Sequence, residues 1–177
     1  DGDRLAVGAA YGDGLNNSKG GSGEVYLYTA ASSSDSDSVS SAVFATNASS
    51  NSTITPSTIT ASLSAGTNVV LQANNDITVS EAVTANNGSG NGGNFTLQAG
   101  RSVLVNANIT TDNGNLTLIA NDLTSNGVVD AQRDSGAAVI TLASGTAINT
   151  GSGVFTSTIR AGTGKTNLAS GDITLSS

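Results

Sequence analysis

The sequence predicts an all-β chain whose larger part is a parallel β-helix with three short strands per coil. Two observations carry that expectation. One pattern recurs in the runs Asn68-Val69-Val70-Leu71-Gln72-Ala73, Asn94-Phe95-Thr96-Leu97-Gln98-Ala99, Asn115-Leu116-Thr117-Leu118-Ile119-Ala120 and Val139-Ile140-Thr141-Leu142-Ala143, whose starts at Val69, Phe95, Leu116 and Ile140 lie 26, 21 and 24 residues apart. Within the first three runs, alternation places Val69/Leu71/Ala73, Phe95/Leu97/Ala99 and Leu116/Leu118/Ala120 on one face, with Val70/Gln72, Thr96/Gln98 and Thr117/Ile119 on the other. A sandwich of antiparallel hairpins has no need to repeat one strand every 21–26 residues. A solenoid does, because each coil must set like residues above like.

The elements follow in chain order. Residues 1–30 hold two β-like runs, Arg4 to Ala10 and Glu24 to Thr29, separated by a glycine-rich stretch, and read as a long-looped β-hairpin. Residues 31–53 are rich in Ser and Asn around a Val43-Phe44 island and read as a linker on composition. From residue 54 to 177 the solenoid begins, with Thr53-Ile54-Thr55 and Thr58-Ile59-Thr60-Ala61 flanking Pro56 as an entry coil. Each long run is followed by a second short strand, at Asp76 to Val79, Ser102 to Val105, Asp122 to Ser125 and Thr146 to Asn149. A third closes most units, at Ala82 to Ala85, Asn108 to Thr111 and Gly127 to Asp130. Phe155 to Ala161 and Asp172 to Leu175 are strand-like, but Gly162 to Lys165 interrupts the register. About five to six coils at about 4.8 Å each give a rod on the order of 25 Å long. Asn74, Asn75, Asn106, Asn108, Asn121, Asn126 and Asn149 are candidates for stacked amide ladders or, equally, for ordinary turn positions.

Composition removes whole classes of chemistry. The 177 residues contain no Cys, His, Trp or Met, which excludes thiol and imidazole catalysis, disulfides and Cys/His metal sites. The 37% of hydrophobic residues are mainly the small Ala, Val, Leu and Ile, enough for a core only if placed economically. Charged residues are 11% of the chain, the net charge is −7, and Arg4, Lys19, Arg101, Arg133, Arg160 and Lys165 are scattered singly. Such a surface cannot track a phosphate backbone, so nucleic acid is not expected as a partner. No apolar run approaches the roughly 18 residues that span a bilayer, so membrane insertion is not expected either. The chain opens at Asp1 without an initiator Met or a leader, as a mature or excised piece would. Its Ser/Thr/Asn/Gly-rich, Lys-poor surface suits an extracellular location at a bacterial cell surface.

The unit from Thr58 to Asp134, clearest in Ile59 to Ala73 and in Asp112 to Ala120, resembles the filamentous-haemagglutinin class of secreted bacterial repeat proteins. That resemblance implies a right-handed β-helix in a large exported adhesin or surface filament. The opening Asp3 to Gly14 with Gly23 to Tyr28 resembles an FG-GAP repeat, of which one fragment is present. The calcium loop of that family alternates acidic ligands. Here Asp13 is followed by Asn16 and Ser18, and a plain glycine-rich turn is the stronger reading.

Carboxylates are the groups left for catalysis. Asp76 and Asp122 follow Asn at what read as matching corners two coils apart, roughly 10 Å, near the upper end for an inverting acid/base pair. Arg101 begins the intervening coil's second strand but the face otherwise holds Ser and Thr, so no cation or sugar-stacking aromatic is expected to converge there, and turn duty is the stronger reading. Ice binding would need flat Thr-x-Thr strands, whereas Thr96, Thr117 and Thr141 read as one column beside Gln98, Ile119 and Ala143. The Asn-x-Ser/Thr triplets, among them those at Asn94 and Asn115, follow from composition. No cofactor is implied.

Assembly remains. The expected function is a non-catalytic structural module of a surface fibre or adhesin, a homopolymer stacked head to tail through bare β-helix ends. Leu5, Ala6, Val7, Val25, Tyr26, Leu27 and Tyr28 are candidate strands for addition to a neighbour, and Ile173 and Leu175 mark the other end. The alternatives are a carbohydrate-active solenoid enzyme and a monomeric adhesin binding host or matrix glycans through loops such as Asn86 to Gly93.

Overall fold

The computed structural model describes residues 25–27, 39, 42–45, 51–165 and 170–176; for residues 25–27 and 170 it describes backbone alone. The strands are β1 (Val25–Leu27), β2 (Ser52–Thr53), β3 (Val69–Ala73), β4 (Ile77–Val79), β5 (Val83–Thr84), β6 (Phe95–Ala99) and β7 (Val103–Val105). They continue with β8 (Ile109–Thr110), β9 (Leu116–Ala120), β10 (Ala138–Leu142), β11 (Ile148–Asn149), β12 (Phe155–Ile159) and β13 (Ser170–Leu175). One α-helix, α1 (Pro56–Ser64), precedes β3. The described chain is therefore mostly strand with little helix, and every strand pairing is parallel.

The strands form three sheets: sheet I in the order β13-β10-β7-β4-β1-β2, sheet II in the order β12-β9-β6-β3, and sheet III in the order β11-β8-β5. From β3 onward the chain visits sheets II, I and III in rotation, so each strand lies on its counterpart from the previous round. Four rounds, here called layers, begin at β3, β6, β9 and β12.

Alternation sorts the side chains as the sequence predicts. Facing inward, Val69/Phe95/Leu116, Leu71/Leu97/Leu118 and Ala73/Ala99/Ala120 form three buried rows in sheet II. Ile77/Val103/Ile140 and Val79/Val105/Leu142 do the same in sheet I. Each fully buried Val, Leu or Ile contributes roughly 1.5–3 kcal/mol, and this one continuous core carries the fold.

The corners are held by two columns that the strand pattern does not reveal. Asn68 Oδ1 accepts the backbone N–H of Asn94 at 2.9 Å, Asn94 Oδ1 that of Asn115 at 2.8 Å, and Asn115 Oδ1 that of Val154 at 2.8 Å. The amide ladder thus runs through Asn68, Asn94 and Asn115 and stops at Val154. Of the expected ladder residues, Asn108 makes the same kind of contact, accepting from Ala147 N at 2.8 Å. Beside the ladder runs a column of glycines whose layers touch backbone to backbone. A Cβ on Gly93 would lie 2.0 Å from Thr67 O, one on Gly114 2.1 Å from Gly93 O, and one on Gly153 2.3 Å from Gly114 O.

Several expectations are corrected. The entry coil is a helix rather than strands: Pro56 sits in its first turn, where a missing N–H costs nothing, and Ile59 and Leu63, four residues apart, bury one face. The segment Asp122 to Ser125 is not a strand, since residues Thr124–Asn126 form a 3₁₀ turn closed by Gly127 at φ 107°. Gly127 to Asp130 leads into a second 3₁₀ turn at Asp130–Gln132. Consequently the fourth run, at Ile140, is not in sheet II: β10 pairs with β7, and β12 is the strand that lies on β9. Thr146 to Asn149 likewise supplies β11 of sheet III. The outer threonine column of sheet II is Thr96, Thr117 and Thr156, with Thr141 instead opposite Leu104 in sheet I.

Each sheet is covered at its first layer. The 42–45 segment lies along β3, with Ala42 O accepting from Gln72 N at 2.8 Å, Phe44 O accepting from Asn74 Nδ2 at 2.8 Å, and Ala42 and Phe44 buried. Helix α1 lies along β5, where Thr60 Oγ1 accepts from Thr84 N and Ser64 Oγ from Asn86 N. Strand β1 lies along β4. At the last layer, no described strand pairs with the outer edges of β11, β12 or β13.

Candidate functional site

Two regions depart from the plain stacking of layers and are the candidates for function. The first is the excursion of residues 121–137 between β9 and β10, at a corner where only residues 74–76 and 100–102 separate the strands of the preceding layers. Its centre is Arg133, which is fully buried. All five guanidinium N–H groups have acceptors: Nε and Nη2 reach Asp130 Oδ1 at 2.9 and 2.7 Å, Nη1 reaches Gly100 O at 3.1 Å and Asp122 O at 2.8 Å, and Nη2 also donates to Thr163 O. A buried cation is tolerated only with this kind of satisfaction.

The excursion is also tied to the earlier layers. Val129 N donates to Asn74 Oδ1 at 2.8 Å, and Asn75 Nδ2 donates to Asp134 Oδ2 at 2.9 Å. Gly127 sits against the Phe44 ring, which gives the Val43-Phe44 island its packing partner. The backbone N–H of Lys165 donates to Asp130 Oδ1 at 3.1 Å, and its Nζ donates to Ala131 O and Arg133 O. Burial raises the Asp130 pKa, but the Arg133 hydrogen bond, the Lys165 N–H and both positive charges outweigh it, holding the carboxyl below its ordinary value.

Here the expectation that no cation approaches Asp76 and Asp122 is overturned. Arg101 grips Asp76 with two bonds, Nε to Oδ1 at 2.8 Å and Nη2 to Oδ2 at 2.5 Å, while Ser102 N donates to the same Oδ1 at 2.9 Å. Arg101 also stands 3.6 Å from Asp134. Asp122, fully buried, accepts from Gln98 Nε2, from Leu123 N at 2.8 Å and from Asn126 Nδ2 at 2.6 Å, with Arg160 Nε 3.2 Å away. The two acids do not occupy matching positions either: Asp76 directly precedes β4, whereas Asp122 opens the excursion. Asp76 is thus held by arginine and backbone N–H groups, and Asp122 by two side-chain amides and a backbone N–H with Arg160 beside it.

The loop from Asn86 to Gly93 is similarly committed to its neighbours. Asn87 Oδ1 accepts from Ser89 N and Oγ, Asn87 Nδ2 donates to Ser64 O, and Asn113 Nδ2 donates to Gly90 O. Among the described residues there is no group of three acidic side chains that could hold a metal ion, and no helix is long and apolar enough to cross a membrane.

The second region is the last layer. Ile173 and Leu175 continue the inward rows of Ile140 and Leu142 but are 42% and 59% exposed, and Val154 is 61% exposed. Phe155 and Ile159 are only partly buried, and Ser157 occupies the row of Leu118 with its Oγ enclosed and without a hydrogen-bond partner. Of the other candidate assembly residues, Val25, Tyr26 and Leu27 form β1, while Leu5, Ala6, Val7 and Tyr28, with the glycine-rich loop at Asp13, lie outside the described residues. Strand β1 is paired on both edges within the chain, to β4 and to β2. Sequence reasoning missed the arginine pairings because Arg101, Asp134 and Arg160 are far from their partners along the chain. No family model matches this sequence, and no curated protein or solved structure matches it.

Proposed function

We propose that the chain is a right-handed parallel β-helix serving as a non-catalytic structural module of a secreted bacterial surface fibre or adhesin. The observation that carries this reading is the stacking of like on like through all three sheets. Right-handedness follows from the strong preference of parallel crossover connections. The engagement of Asp76 and Asp122 with arginines and backbone N–H groups supports a structural role over polysaccharide cleavage. Exposed Thr, Ser and Asn in place of charge support life outside the cell, and glycans of a host or matrix are the partners such an adhesin would meet.

Head-to-tail stacking of bare ends needs two open ends, and here the first layer is covered on every sheet. Assembly by strand addition, a strand of one copy continuing a sheet of another, is the form this geometry favours. Electron microscopy of the native protein at neutral pH tests the reading. Rods or fibres with an axial repeat on the order of 25 Å, or a small multiple, are expected. Compact isolated particles that release sugars from polysaccharide would overturn it.

A further inference from the structure

The order of sheet I contains an anomaly. From β13 through β10 and β7 to β4, each step goes back one round along the chain. The same step taken once more leads to β2, because Ser52 precedes Ile77 by 25 residues (77 − 52), much as Ile77 precedes Val103 by 26 (103 − 77). Yet β4 does not pair with β2. Strand β1 stands between them, with Val25, Tyr26 and Leu27 opposite Ile77, Thr78 and Val79 on one edge, and Val25 and Tyr26 opposite Ser52 and Thr53 on the other. The winding of the chain therefore makes a slot one strand wide between β4 and β2, and an out-of-order strand fills it.

Two features make that strand exchangeable. Among the described residues its pairing is short, three residues against β4 and two against β2. From Leu27 to Val39, the next described residue and one packed on the core, the chain runs through residues 28–38, which is 11 residues (38 − 27), a contour of up to about 40 Å, several times the strand spacing. The same hydrogen bonds in the same register are available from a second copy whose slot lies within that contour. We propose that β1 is a donor strand passed between copies, Val25–Leu27 of one chain filling the slot between β4 and β2 of the next. Each chain then gives one strand and accepts one, a heterologous contact that propagates as an open fibre. This inference rests on the structural-module reading and names its partner as a second copy of the chain.

The test uses the absence of cysteine in the natural sequence. Tyr26 and Thr78 are register partners on adjacent strands, whose spacing of about 4.8 Å lies inside the Cα separation of disulfides. Two full-length chains, one carrying Tyr26→Cys and the other Thr78→Cys, are unfolded together, refolded at high concentration and oxidised. A disulfide-linked product at about twice 17.3 kDa, formed from the mixture and from neither variant alone, is expected. The proposal is overturned if the mixture stays unlinked while the doubly substituted chain closes its bond within a monomer, or if no bond forms in either. Sugar release from polysaccharide by the unsubstituted chain would instead sink the structural-module reading, and it is scored separately from the cross-link.

Discussion

Substituting Gly114 by alanine probes the stacking of layers at one of their close backbone contacts. The added Cβ would lie 2.1 Å from Gly93 O, 2.7 Å from Gly93 C and 2.9 Å from Gly92 O, all backbone atoms of the layer beneath. Ordinary contact needs about 3.5 Å, so the two layers must part by more than about 1 Å at this corner. The hydrogen bonds that bind them there, Phe95 N to Asn115 O and Asn115 N to Asn94 Oδ1, are both 2.8 Å long and cannot survive that separation. Losing two such bonds at about 1–3 kcal/mol each, together with loosened packing of Phe95 on Leu116, gives a cost of about 3–5 kcal/mol. With a denaturant slope near 2 kcal/mol/M, the urea midpoint falls by about 1.5–2.5 M, read by circular dichroism because the chain has no Trp. Gly88 is the control: a Cβ there meets nothing within 4 Å, so Gly88→Ala is expected to leave the midpoint in place or raise it slightly. Equal midpoints for the two variants would refute the claim that backbone contact between glycines sets the layer spacing.

Arg133→Met removes the buried cation that binds Gly100, Asp122, Asp130 and Thr163, and leaves three carbonyls without that donor; a loss of about 3–5 kcal/mol is expected, measured by the same titration. Because the Asp130 carboxyl is held below its ordinary 3.8 in the folded chain, its stabilising effect is complete above that value and is lost as pH falls through the lowered one. The stability gap between the natural chain and Asp130→Asn should therefore be widest at neutral pH and close in strong acid; a gap independent of pH would contradict the assignment. Ser157→Leu extends the row of Leu71, Leu97 and Leu118 and removes an enclosed hydroxyl that has no partner, so thermal unfolding should move upward, by about 1 kcal/mol of stability.

The rows of sheet II were legible because Val69, Phe95 and Leu116 each start an uninterrupted alternation bounded by the same corner residues. The fourth was misplaced because periodicity counts residues and takes no account of turns. With residues 121–137 inserted at one corner, the next apolar run at Ile140 arrives at the expected spacing but one sheet later. Helix α1 was hidden by its β-branched Thr and Ile, whose propensity for strand is overridden by Pro56 in the first turn and the buried Ile59/Leu63 face. The ladder at Asn68, Asn94 and Asn115 precedes the strands it serves, so it reads as strand sequence until the layers are superposed. Ion pairs such as Arg101 with Asp76 join residues of different layers, and in a chain with so few charges their partners can be named only when the corner is seen in space.

The excursion at residues 121–137 has a mechanical consequence. The hydrogen bonds within each sheet point along the stacking direction, so a pull along that axis loads the layers in series, and the weakest junction yields first. The excursion, itself part of the third layer, touches Asn74 and Asn75 in the first, Gly100 and Arg101 in the second and Thr163 in the fourth. It acts as a brace in parallel with those junctions, sharing tension among all four. Under load the corner it occupies should part last, with the opposite side of the stack opening first as a hinge.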